Sequence, residues 1–146
     1  MIRVSVANPY EQPLDFQALK TAARAVLEGE GVREARVTVA FVDNAHIHRL
    51  NKQFLGHDEP TDVLTFPYTD TGAKTLEGEI AIGYEVAKAN ADERGHPVAA
   101  ELVLYVIHGC LHLCGYADGT DREAKAMRAK EREYLRALGL PDIAGE

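Results

Sequence analysis

Apolar side chains fall at alternate positions in IRVSVAN (2–8) and ARVTVAFVD (35–43), the period of a half-buried strand. Between them Phe16, Leu19, Ala22, Ala23, Val26 and Leu27 recur at helical spacing, which predicts a helix over 15–31 with Gly29 and Gly31 flanking its end. Asn44 is placed to cap a second helix that runs through His48, Leu50 and Phe54 and closes at Gly56. TDVLTFPY (61–68) and EGEIAIGYE (77–85) read as two more strands, and Pro67 puts the first of them at a sheet edge or a strand end. Residues 86–94 read as helical, punctuated by Gly95 and Pro97. The stretch 98–113 is nearly all apolar, so its helix is expected to be buried centrally, with Gly115 ending it. Thr120 and Glu123 form a T-x-x-E capping box for a last helix through Met127, Tyr134, Leu135 and Leu138 to Gly139. The order β-α-β-α-β-β-α-α-α predicts an α/β protein of the α+β type: a single four-stranded mixed sheet with about five helices packed on it, one domain over 1–146.

Composition narrows the class. At 146 residues, with 46% hydrophobic and 27% charged positions, the chain is long enough for one real core and has the balance of a soluble globular domain. No apolar run approaches the roughly 20 residues of a membrane helix. MIRVSVANPYEQP has neither an apolar region nor a cleavage site of the secretory kind, so a cytoplasmic protein is expected. A net charge of −7 argues against a uniformly basic nucleic-acid-binding surface. It leaves RNA open as a substrate, because the local field outweighs the sum. Cys110 and Cys114, four apart in one helix, suit a disulfide poorly and point away from the histidines, so they read as small core residues.

The candidate chemistry lies in HGCLHLCGYAD, residues 108–118. His108 and His112 are four apart on a helix, so both rings reach one point. Asp118 follows in the next loop, and because Thr120 can cap the last helix its carboxylate is left available. Two histidines and a carboxylate make a three-ligand site with an open position, the arrangement of catalytic zinc, one ion with a water in the fourth place. Such a water ionises near neutral pH and can attack a phosphodiester or an amide. In H-E-x-x-H peptidases the residue after the first histidine is the glutamate base. Here it is Gly109, which leaves room beside the metal but supplies no base, and so disfavours a metalloprotease.

HGCLHLCGY resembles the signature of the YbeY family, the bacterial endoribonucleases of rRNA maturation. LNKQFLGHDEPTDVLTFPY (50–68) and GEIAI (78–82) resemble two further blocks of that family, in the right order over about 37–138. The resemblance implies a zinc-dependent, single-strand-specific endoribonuclease of small-subunit rRNA 3′-end maturation and ribosome quality control. It implies metal ligands at His108, His112 and Asp118. Its partners would be single-stranded RNA and the small ribosomal subunit, with no membrane and no DNA. Asp118 stands where the family has a third histidine, and Leu55 where it has an arginine. Arg49 and Lys52, on the same helix as Leu55, are the candidates to supply the missing cation. Glu79 stands at the family's strand aspartate, a candidate base or a partner of the metal ligands, or a polar edge residue. Thr61 and Asp62 open a strand and read as turn or capping residues, and His46, His48, His57 and His96 read as surface or loop residues. The rival reading is a ribosome-assembly or RNA-binding factor whose metal site is mainly structural.

Overall fold

The computed structural model describes residues 1–56, 62–70 and 72–144. Its elements are β1 (Ile2–Ala7), α1 (Phe16–Gly29), β2 (Glu34–Val42), α2 (Asn44–Leu55), β3 (Val63–Pro67), β4 (Thr75–Gly83), α3 (Tyr84–Arg94), α4 (Val98–Leu113) and α5 (Asp121–Ala137). The four strands form one sheet in the order β1-β2-β4-β3. β1 and β4 run parallel to β2, and β3 runs antiparallel to β4 as an edge strand. The protein is therefore the mixed-sheet α+β fold that the alternation of periods implied.

Strand alternation splits the sheet into two unlike faces. Val4, Val37, Val39, Phe41, Ile80 and Ile82 point to one side, into the main core with α1 and α4. On the other side, among the described residues, a small cluster forms where Ile47 of α2 meets Val42, Leu64 and Ala81. α4 is the least polar helix and is buried along almost its whole length, from Glu101 to Leu113, so it takes the centre of the main face.

Local chemistry sets the ends. Asp15 caps α1, accepting from the Ala18 amide, and Thr120 caps α5, accepting from Glu123. At α2 the cap is Asp43 and not Asn44: Asp43 is extended and its carboxylate accepts from the His46 amide at 2.9 Å. α3 begins at Tyr84, directly off Gly83 at the end of β4 and earlier than the pattern suggested, because the Tyr84 ring is itself buried. Among the described residues no single helix is long and apolar enough to cross a membrane.

Candidate metal centre

α4 lies close on β4 because glycines remove the side chains that would hold them apart. A Cβ at Gly109 would stand 2.9 Å from two carbons of Ile80, and one at Gly78 would stand 2.5 Å from Leu113. The room that Gly109 leaves is filled by Ile80 of the sheet, not by a metal or substrate. A glutamate there, as in a peptidase, would have to displace that contact.

The last two turns of α4 also carry His108 and His112, with side chains 27% exposed. Their Nδ1 atoms are both engaged. His108 Nδ1 lies 2.9 Å from Glu131 Oε2 of α5, and His112 Nδ1 lies 2.8 Å from the Tyr116 carbonyl oxygen. A carbonyl or an ionised carboxylate can only accept, so each Nδ1 carries the hydrogen. Each neutral ring then presents a bare lone pair on Nε2, and those two atoms face each other at 3.0 Å. Two lone pairs at that distance repel unless a proton or a cation lies between them.

Asp118 completes the group from the loop after α4. Gly115 turns the chain with φ +101°, and Asp118 Oδ2 comes within 3.4 Å of His108 Nε2 and 3.6 Å of His112 Nε2. Two ligands on a tetrahedral zinc with bonds of 2.0–2.1 Å are about 3.3 Å apart. Separations of 3.0, 3.4 and 3.6 Å bracket that value. The donor set fits a small divalent cation, and these residues form a group able to hold a metal ion. The local field favours one. Burial disfavours a charged His108, but Glu131, Asp118 and Asp62 outweigh it and raise its pKa above the ordinary histidine value.

Two clefts meet at the group. One, of about 460 Å³, is walled by Leu55, Val63, Thr65, Pro67 and Tyr116. The other, of about 380 Å³, is walled by Asp62, Leu104, Tyr105 and Glu131. No lysine or arginine is among the described residues that line either.

The remaining candidates are scattered. Glu79 points to the face of β4 opposite Ile80, away from the histidines, where it accepts from the Tyr68 hydroxyl at 2.8 Å. The alternation in EGEIAIG carried that signal, since Ile80 and Ile82 mark the core side. Arg49 and Lys52 lie exposed on α2 and outside both clefts; Leu55, at the end of the same helix, enters one. Asp62 accepts from the Val63 amide, as a turn residue does, and also lines a cleft. Thr61 and His57 fall outside the described residues. His46 meets the Tyr10 hydroxyl at 3.2 Å. His96 is no bare loop residue, because its Nε2 bonds the fully buried carboxylate of Glu101. Cys110 is wholly buried and Cys114 partly so; burial pushes the Cys114 thiol up to about 11, and both sit in or against the core.

Glu131 is the residue that pattern reading passed over. It lies on the buried stripe of α5 with Met127, Tyr134 and Leu135. A carboxylate at a core position of an amphipathic helix is the signal that marks it.

Fold and site together define a class: single-sheet α+β proteins with a His-His-Asp group, able to hold a metal ion, at the end of a buried helix. The family model for Endoribonuclease YbeY matches residues 6–139. An Endoribonuclease YbeY of Pelotomaculum thermopropionicum is 41% identical over 129 residues, 84% of this chain and 85% of that protein. One of Rhodopseudomonas palustris is 40% identical over 132 residues, 87% of this chain and 68% of that protein. The solution structure of TM1509 from Thermotoga maritima is similar with a TM-score of 0.66 and 32% identity, covering 94% of this chain and 89% of that one. The chain belongs to the YbeY endoribonuclease family.

Proposed function

We propose that this protein is a cytoplasmic, zinc-dependent endoribonuclease that cuts single-stranded RNA, acting on the small ribosomal subunit in rRNA 3′-end maturation and quality control. The observation that carries the reading is the convergence of His108 Nε2, His112 Nε2 and Asp118 Oδ2, with the far nitrogen of each ring already engaged. A zinc ion held there would supply a water that ionises near neutral pH and a positive charge for the developing oxyanion.

The chain's own residues do the rest. Glu131 and the Tyr116 carbonyl fix the tautomers, so that both histidines offer Nε2 at once. Asp118 takes one unit from the net charge of the site, which favours a somewhat weaker Lewis acid than three histidines would give. Leu55, Val63 and Pro67 give one side of the path an apolar wall. Since clefts lie on both sides of the group, a strand can pass across it, which suits cutting within a chain. Arg49 and Lys52 would meet RNA only where the strand leaves the cleft.

The absence of cations among the described lining residues, with Leu55 in the cleft, favours a second reading: a ribosome-assembly factor that binds RNA without cutting it. One experiment separates the two. Single-stranded RNA is incubated with wild type and His112→Ala, purified identically, and bound zinc is measured on the same samples. Cleavage and zinc lost together in the variant support the nuclease. Zinc without cleavage in the wild type supports the binding factor, and equal cleavage by both proteins overturns the assignment.

A further inference from the structure

We infer that Glu30, at the C-terminal end of α1, is a positioning residue for the metal centre, its one carboxylate fixing the partners of both histidines. This rests on the reading of His108, His112 and Asp118 as a metal site. Glu30 Oε1 accepts from the Tyr116 hydroxyl at 2.8 Å, across 86 positions of the chain. Glu30 Oε2 accepts from the Tyr134 hydroxyl and lies 3.4 Å from Lys130 Nζ.

Each tyrosine leads to one histidine. Tyr116 supplies the carbonyl that takes the His112 Nδ1 hydrogen. Its side chain, anchored on Glu30, holds a loop whose neighbours Gly115, Ala117, Asp118 and Gly119 are all exposed. Tyr134 lies three residues beyond Glu131 on α5, on the same face. Anchoring it sets the height and rotation at which Glu131 meets His108 Nδ1. The two arms meet at Glu30, one carboxylate oxygen serving each tyrosine, with Lys130 of α5 packed beside it.

The sequence is shaped to permit this convergence. A Cβ at Gly29 would stand 2.4 Å from the Tyr134 hydroxyl, so the residue before Glu30 must be glycine for the ring to reach it. The Glu30 side chain is 13% exposed, which shields its hydrogen bonds from competing water. Loss of the carboxylate frees both hydroxyls together, and each ring can then turn its Nε2 away from the common point.

The test is metal uptake. Metal-free wild type, Glu30→Gln, Tyr116→Phe, Tyr134→Phe and the double Phe variant are titrated with cobalt(II), following its visible absorption, and the cobalt is then displaced with zinc. Ile47→Ala, on the buried side of α2 over the other face of the sheet, serves as a control that loses stability without touching either arm. Removing a direct hydrogen-bond partner of a ligand costs about 10–100-fold in affinity, so a group one bond further out is expected to cost about 3- to 10-fold. Glu30→Gln should weaken binding by that factor and alter the cobalt spectrum. Each single Phe variant should do part of this, and the double variant should match Glu30→Gln. Ile47→Ala should keep wild-type affinity and spectrum at a lowered Tm. Wild-type affinity and spectrum in Glu30→Gln and both Phe variants would overturn the inference, as would losses that Ile47→Ala shares. Should Glu30→Gln fail to fold, the Phe variants decide alone. Failure of the wild type to take up one equivalent of metal would instead overturn the site reading beneath it.

Discussion

Gly109→Ala should destabilise the protein, although a glycine inside a helix normally costs stability. At an exposed helix position the change to alanine would gain about 1 kcal/mol. Here the new methyl would lie 2.9 Å from both Cδ1 and Cγ2 of Ile80 and 3.1 Å from its Cγ1, against an optimum of about 3.5–4.0 Å between carbons. Ile80 is wholly buried, and its β-branched side chain has few rotamers to retreat into. Overpacking of this kind costs about 1–3 kcal/mol. The net expectation is a loss of up to about 2 kcal/mol. Urea unfolding with excess chelator present measures it free of any contribution from bound metal. The partner is identified by a double-mutant cycle. Ile80→Ala removes all the crowded atoms at its own cost of about 2–5 kcal/mol. In that background Gly109→Ala should become neutral or stabilising, a coupling of about 1–3 kcal/mol. A single variant more stable than wild type by the full alanine gain of about 1 kcal/mol, or an effect that is the same with and without Ile80, would refute the packing argument. The point bears on the site as well, since α4 cannot lift from β4 without carrying His108 with it.

Two further outcomes follow from the same geometry. Glu131→Leu removes the acceptor that fixes His108 and should weaken zinc binding by about 10–100-fold; Glu131→Gln keeps an acceptor and should lose less, and chelator competition showing affinities within twofold of wild type would refute the role. Glu101, two turns before His108 on α4, offers a pH test. Burial alone would raise its carboxyl, but His96, Tyr105 and Arg94 outweigh that and hold it below the usual carboxylate value. A lowered folded-state pKa gives stability that is present above the unfolded value, about 4.3 for Glu, and lost as pH falls through the folded value. Glu101→Gln should therefore be less stable than wild type by about 2–3 kcal/mol at neutral pH. The gap should close as pH drops below about 4. A gap in urea midpoint that stays constant from pH 7 to pH 3 would show that the buried charge contributes nothing.

What the sequence determined by itself is what acts over one turn of helix or one strand period. The apolar run of α4 fixed a buried central helix, and the four-residue spacing put His108 and His112 on one face. Thr120 caps α5, and the Asp118 carboxylate lies beside the two histidines. The alternation in β4 already divided Glu79 from Ile80, although which face would receive α4 was settled by packing. Tertiary structure alone decided the rest. Gly109 reads from sequence as space beside a metal, and only the closeness of α4 to β4 shows that Ile80 occupies it. Glu131 reaches His108 across 23 positions, and Tyr116 and Tyr134 reach Glu30 across 86 and 104. No local periodicity relates residues so far apart. Their meeting depends on how three helices close over one face of the sheet, and the groups that orient the histidines are set by that closure.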